Sequence, residues 1–311
     1  MTKTSNNTTK CVLIIGSEGF IGRHLLDDLE TMPDRYEVYT SDIVASSMST
    51  THWLLDPDHV EFDGLFESRH FDICINCSGA ASVAESNQEP LRDYELNVAN
   101  VARMLDAIRK TQGADCRFLN LSSAAVYGNP STLPITEEAE ARPISPYGFH
   151  KLQAEQLLLG YVRLFGLRAC SVRIFSAYGP NLRKQLFWDL YSKAMRSETV
   201  ELWGTGGETR DFIEVSDLAR AIRVVCEKSD FAGEAVNVAS GTETSIEAAV
   251  RTFLDYFDAS RTYTFNGQVK VGDPRNWRAD ISKLRSMGFE PSISTEQGLA
   301  RYVDWLRSLP D

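Results

Sequence analysis

The stretch Cys11 to Leu26, CVLIIGSEGFIGRHLL, carries an apolar run into three glycines set three apart, Gly16, Gly19 and Gly22. Residues 11–15 have the length and apolarity of a buried strand, and Ile21, Leu25, Leu26 and Leu29 recur at helical spacing behind them. The glycines therefore occupy a strand-to-helix turn. Glycine there reaches positive φ, and its missing side chain lets backbone N–H groups at a positively polarised helix N-terminus approach an anion such as a pyrophosphate. Taken alone, the glycines fit a plain tight turn equally well, because the first two stand one residue further apart than in the commoner dinucleotide fingerprint.

The chain downstream favours the anion. A second strand-like run, YEVYTS at 36–41, ends at Asp42, which lies 20 residues past Gly22. A carboxylate at that place accepts hydrogen bonds from the adenosine ribose of a dinucleotide. No Arg or Lys follows Asp42 before Arg69, so nothing nearby in sequence neutralises a 2′-phosphate. The expected cofactor is NAD rather than NADP.

With 311 residues, 43% hydrophobic and 24% charged, the composition is that of a globular chain with a substantial core. No apolar run approaches the ~20 residues needed to cross a bilayer, and the polar start MTKTSNNTTK has no hydrophobic signal region, so a cytoplasmic protein is expected. Cys11, Cys74, Cys77, Cys116, Cys170 and Cys226 fall mostly in strand-like runs, and Cys74 and Cys77 have no second pair at metal spacing. Buried reduced thiols and no metal are the expectation. A net charge of −11 argues against nucleic acid or an anionic membrane as partner.

Strand and helix continue to alternate after Asp42. Apolar runs at 71–76, 117–122 and 167–175 are separated by helical stretches at 91–110 and 148–165. The pattern predicts an α/β fold with a doubly wound parallel Rossmann sheet and ligand sites at the carboxyl ends of its strands. Residues 1–179 are expected to form the NAD-binding domain and residues 180–311 a smaller, mixed substrate-binding lobe, with VNVAS at 236–240 returning to the sheet.

Tyr147 and Lys151 stand four apart on one expected helix and so share a face. A phenol is a poor base at neutral pH, but an adjacent ammonium stabilises the phenolate, making the pair a tuned acid and base. Tyr-x-x-x-Lys alone is frequent on solvated helices. Here it follows NLSSAAVYG, whose Ser123 is placed to donate to a substrate oxygen at the sheet's carboxyl edge, although a helix or turn cap is the plainer role for that serine.

These residues give the chain a family resemblance over nearly its whole length. It resembles an extended short-chain dehydrogenase/reductase of the nucleotide-sugar epimerase and dehydratase group. The matching segments occur in order: Gly16-x-x-Gly19-x-x-Gly22, Asp56 in WLLD, CSGAASVAES, LNVANVARMLDA, SSAAVYG, Tyr147 with Lys151, RIFSAYGP, GTGGETRDFIEVSDLA and VGDPRNWRAD. The resemblance implies a catalytic set of Ser123, Tyr147 and Lys151, with Lys151 also bonding the nicotinamide ribose. For the cofactor it implies Phe20 and Ile21 beside the glycines, Asp42 and Ile43, Asp56 at the adenine, Cys77, Ser78 and Gly79, Asn97, and Ile174. For a nucleotide-diphosphate sugar it implies Ser82, Ser123, Ser176, Arg183, Arg210 and Lys270, with Lys184 as a supplement and Arg210 the best candidate for the diphosphate.

The same segments narrow the chemistry. Dehydratases and decarboxylases of the group carry acids where this chain has Ala124 and Ala125, and its 3,5-epimerases use Cys in place of Ala125. Without a carboxyl group to protonate a leaving hydroxyl, elimination lacks its acid. Ser176 replaces the usual Asn, and Lys270 a common Arg, whose guanidinium would grip a diphosphate bidentately. The expectation is an NAD-dependent nucleotide-sugar 4-epimerase working through a transient 4-keto sugar. Its alternatives are a 4-keto-sugar reductase of the same fold and, from another class, a catalytically silent dinucleotide sensor, which would have no need of a tuned phenol. The apolar LLLGYVRLF of the second long helix, with the resemblance, implies a homodimer through a four-helix bundle.

Overall fold

The computed structural model describes residues 9–46, 51–57, 59–268 and 272–310. The chain opens as β1 (Lys10–Ile15), whose side chains from Val12 onward are buried on both faces, as a central parallel strand requires. Helix α1 (Phe20–Glu30) follows the glycine turn and buries Gly22, Leu25, Leu26 and Leu29. Strand β2 (Tyr36–Asp42) then pairs parallel with β1, and the short β3 (His52–Leu54) pairs with β2 at the sheet edge. After α2 (Asp63–Ser68), strand β4 (Ile73–Asn76) lies on the other side of β1.

The expected helix at 91–110 is present but broken. α3 (Val83–Gln88) and α4 (Pro90–Tyr94) lead into a π-helical turn at Glu95–Ala99, and only then does α5 (Asn100–Thr111) run regularly. Strand β5 (Arg117–Ser123) pairs with β4, and a 3₁₀ turn at Ala124–Tyr127 ends it. Helix α6 (Pro146–Phe165) starts with Ser145 accepting the N–H of Gly148 at 3.1 Å and stops at Gly166, which takes φ 70. Strand β6 (Arg168–Ile174) completes this half on β5.

Beyond it come β7 (Ser176–Tyr178), α7 (Gln185–Ala194), β8 (Thr199–Leu202), β9 (Thr209–Glu214) and α8 (Val215–Lys228). Strand β10 (Ala232–Val238) then pairs parallel with β6, giving a seven-stranded main sheet in the order β10-β6-β5-β4-β1-β2-β3. The order reverses between β1 and β4, so the carboxyl ends of those strands flank the crevice where such sheets take ligands. The chain finishes with β11 (Glu243–Ser245), α9 (Ile246–Phe257), β12 (Thr262–Phe265), α10 (Ser282–Ser286) and α11 (Thr295–Arg307). A three-stranded sheet, β11-β9-β7, and the pair β12-β8 belong to a smaller lobe with its own core around Phe187, Phe253 and Tyr302.

Candidate active site

The glycine turn is shaped for close backbone approach. Gly16 takes φ +81, and a Cβ there would stand 2.6 Å from the backbone nitrogen of Ser78; a Cβ on Gly22 would stand 2.2 Å from the carbonyl oxygen of Gly16. Gly16 thus lets the turn lie against the loop after β4, and Gly22 lets α1 lie against the turn. The helix follows the N-cap Gly19 with no side-chain cap and no acid in its first turn, so no side chain of that turn neutralises its N–H groups and dipole. Phe20 and Ile21, both half-buried, form that first turn.

Asp42 closes the far side. Its carboxylate accepts the N–H of Glu18 at 2.9 Å and of Val44 at 3.2 Å, which ties the end of β2 to the glycine turn. Ile43 beside it is exposed, and Asp56 is an exposed residue shortly after β3. On the other flank the N–H of Cys77 donates to Ile15 at 2.8 Å, and Ser78 bonds Asn76 through both its N–H and its hydroxyl. Gly79 takes φ +115, and a Cβ there would meet the Asn97 side chain at 2.6 Å. Asn97 stands in the π-helical turn, buried, with neither its amide nitrogen nor its amide oxygen bonded to protein. Burying an amide without partners is costly. The cradle a Cβ would fill at Gly16 and the orphaned Asn97 are both features a dinucleotide would fit.

Ser123 ends β5, its hydroxyl accepting the N–H of Ala125 at 3.1 Å, and Ile174 sits opposite it in register on β6. Tyr147 and Lys151 project from the first turns of α6 toward that strand end. Two contacts fix the helix there. The N–H of Tyr147, which has no intrahelical acceptor, donates to the Ser86 hydroxyl at 3.1 Å, and Gly148 packs so closely on the 3₁₀ turn that a Cβ would lie 2.5 Å from the carbonyl oxygen of Ala125.

The ionisation of the pair departs from the expectation. Burial pushes the Tyr147 phenol up to about 12; a Ser123 hydrogen bond opposes this and the Asp93 charge adds to it. Lys151 does not lower it, because its Nζ donates to the carbonyl of Leu121 at 2.9 Å and lies 5.8 Å from the centre of the Tyr147 ring. Burial in turn depresses Lys151 to about 8, against the Asp93, Glu155 and Cys77 charges. Without cofactor the site therefore holds a neutral phenol. Ser123 reaches that phenol, whereas Lys151 is committed to the sheet.

Toward the smaller lobe, Arg210 on β9 donates to the carbonyls of Thr209 at 2.8 Å and Arg275 at 3.2 Å, and its guanidinium lies 5.7 Å from the Trp277 ring centre. Burial lowers its affinity for its proton, the Asp273 and Glu208 charges oppose this, and neither of those carboxylates closes an ion pair with it. A half-buried cation without an ion-pair partner suits an anionic ligand. Ser176 opens β7, the strand next to β9. Ser82 caps α3, accepting the N–H of Glu85 at 3.2 Å. Arg183 and Lys184 are exposed, and Arg183 lies over the Trp188 and Trp305 rings at 5.7 and 5.9 Å. Lys270 lies outside the described residues.

Ala124 is fully buried and Ala125 is 8% exposed, so no acid stands beside Ser123 on its own turn. Sequence reasoning did not single out Ser86, Trp277 or the pair Asp93–His150, whose Oδ2 and Nδ1 are 2.6 Å apart. Ser86 and Tyr147 are 61 residues apart, and Asp93 and His150 57, beyond the reach of any spacing rule.

Residues 12–239 match the family model described as the NAD dependent epimerase/dehydratase family. A putative UDP-glucose 4-epimerase of Methanocaldococcus jannaschii is 27% identical over 313 residues, covering 96% of this chain and 98% of its own. Among solved structures, a UDP-glucose 4-epimerase from Thermotoga maritima with UDP-glucose is 27% identical with a TM-score of 0.84, covering 96% of this chain and 98% of that one. MoeE5 in complex with UDP-glucuronic acid and NAD is also 27% identical, with a TM-score of 0.85 over 95% of this chain and 98% of that one.

Proposed function

This chain belongs to the NAD dependent epimerase/dehydratase family, and from that premise we propose that it is an NAD-dependent nucleotide-sugar 4-epimerase acting on a UDP-sugar through a transient 4-keto sugar. One observation carries the choice within the family: where elimination needs acids beside Ser123, the chain places buried Ala124 and Ala125. What remains is redox at one carbon, and two of the three similar proteins above are named as UDP-glucose 4-epimerases, one of them putative, which disfavours the reductase alternative.

The glycine turn from Gly16 to Gly22 and the N-terminus of α1 would hold the pyrophosphate of NAD, Asp42 its adenosine ribose with Ile43 and Asp56 toward the adenine, and Cys77, Ser78, Gly79 and Asn97 the nicotinamide half. When bound, NAD supplies the hydride acceptor and donor for carbon 4 of the sugar. Tyr147 takes the proton of the 4-hydroxyl and later returns it. Its phenol, raised to about 12 by burial, has to be drawn down for this, and Lys151 does so by turning its ammonium from Leu121 toward the cofactor ribose and the phenol. Ser123 holds the sugar oxygen in line. Arg210 anchors the diphosphate, so the 4-keto sugar turns about a fixed point and presents its other face. General acid–base work of this kind contributes ~10²–10⁴-fold in rate.

The partner calls follow the same reading. α6 leaves Phe149, Leu164 and Phe165 exposed, which supports a homodimer in which α5 and α6 form a four-helix bundle across a twofold axis. Light scattering that gave 34.8 kDa, the monomer mass, at micromolar concentration would count against it. Six free cysteines support a cytoplasmic location. Among the described residues no helix is long and apolar enough to cross a membrane, and no cluster suited to a metal ion occurs.

The test is a panel of UDP-sugars assayed both for epimerisation and for NADH-dependent reduction, together with the absorbance of nucleotide released on denaturation. Epimerisation with a dinucleotide retained near one per chain supports the reading. Reduction that consumes NADH one for one, from a protein isolated empty, rejects it.

A further inference from the structure

We propose that His150 is a positioning residue of this site: paired with Asp93 behind Tyr147 and Lys151, it compensates the Asp93 carboxylate and so lets the phenol give up its proton. The inference rests on the assignment of Tyr147 as the proton-transferring group. Asp93 is 3% exposed, and its Oδ1 is buried without a hydrogen-bond partner. Its Oδ2 meets the Nδ1 of His150 at 2.6 Å, shorter than an ordinary N–H···O bond. His150 lies on α6 between Tyr147 and Lys151, its side chain 13% exposed, with the Tyr94 ring edge-on at 5.6 Å.

A buried carboxylate with one partner is an uncompensated charge unless that partner carries a proton. The groups around it make the consequence specific. Tyr147 feels the Asp93 charge from α4 and the Ser123 hydroxyl from the end of β5. Lys151 feels Asp93, Glu155 on its own helix and Cys77 after β4. Asp93 disfavours the phenolate while favouring the ammonium of Lys151. His150, in direct contact with that carboxylate, offsets the first effect at close range. Glu155 continues to support Lys151, although it is itself bonded by Arg173 and the hydroxyl of Ser122. The pair therefore separates two demands that one carboxylate could not satisfy together.

The experiment is a tyrosinate titration by ultraviolet difference absorbance in the presence of NAD, each full-length variant measured against its own Tyr147→Phe counterpart. No sugar substrate is needed. His150→Gln, which keeps a hydrogen-bond donor but no charge, is expected to titrate roughly one pH unit higher than wild type, and His150→Lys, which restores a cation, with wild type. Asp93→Asn is expected to titrate at or below wild type, and adding His150→Gln to it should produce no further shift. A His150→Gln midpoint equal to that of wild type overturns the proposal, as does an equal shift with Asp93 already replaced. If Asp93→Asn does not fold, the Gln and Lys variants at 150 decide alone. These shifts in a protein that turns over no nucleotide sugar would reject the epimerase reading and leave the role of the pair standing.

Discussion

In the proposed mechanism Tyr147 carries the chemistry, and a phenol that burial raises to about 12 needs its neighbours' help to do so. Removing the phenol oxygen by Tyr147→Phe leaves the ring to pack against the end of β5, so the fold and NAD affinity should stay nearly intact while turnover falls ~10²-fold or more. The measurement is kcat beside NAD affinity, and retention of more than about a tenth of wild-type turnover would contradict the assignment. Arg210→Ala should do the opposite, raising KM with a smaller effect on kcat, because the proposed diphosphate contact would be made in ground and transition states alike. At this scale the sequence was informative wherever residues act at short range. Tyr147 and Lys151 are one helical turn apart, and the glycines announce their own backbone demands. The direction of Lys151 toward the Leu121 carbonyl was not legible, nor was the Ser86 bond to the Tyr147 backbone, because the first depends on how α6 docks on β5 and the second on how it docks on α3.

The elements were legible where hydrophobic period decides them. Strands β1, β4, β5 and β6 fall on the apolar runs that announce them, since each is largely buried on both faces, whereas β2 falls on a strand-like run with Glu37 exposed. The stretch at 91–110 was read as one helix, but a π-helical turn at Glu95–Ala99 interrupts it. One extra residue in a turn leaves the apolar pattern almost unchanged, so periodicity could not reveal it, yet it is this turn that brings buried Asn97 up to Gly79. Strand β3, three residues long with Trp53 and Leu54 exposed, gives no alternation to read. The seating of α6 is testable through Gly148. In Gly148→Ala the new Cβ meets the Ala125 carbonyl at 2.5 Å, so the helix must move away from the 3₁₀ turn and carry Tyr147 with it. A displacement of that order should lower kcat by ~10–10²-fold while circular dichroism stays native. Unchanged kcat would show that the docking of α6 does not set the position of the phenol.

Across the whole molecule, the two lobes are sewn together by buried polar groups rather than by a linker. Asp211 on β9 accepts the N–H and hydroxyl of Ser240 at 2.9 and 2.8 Å, the N–H of Gly241 at 3.0 Å and the N–H of Ala279 at 3.0 Å, and burial raises it to about 6 in spite of these donors. Asp211→Asn turns an NH₂ toward donors that had an acceptor, which should cost about 2 kcal/mol and lower Tm by roughly 4 °C, read by calorimetry. The return of β10 to the main sheet was visible as the apolar run VNVAS, but the pinning of its far end through Asp211 was not, because the residues involved come from three separate segments. The central claim concerns the molecule as a working whole: that this chain inverts carbon 4 of a UDP-sugar and restores its cofactor in each cycle. The most direct measurement supplies a UDP-sugar deuterated at carbon 4 and follows the label by mass spectrometry and NMR. The account predicts a 4-epimer that keeps its deuterium at carbon 4, with no net change in NADH. A product whose label is lost to solvent, or whose formation tracks NADH mole for mole, would contradict it.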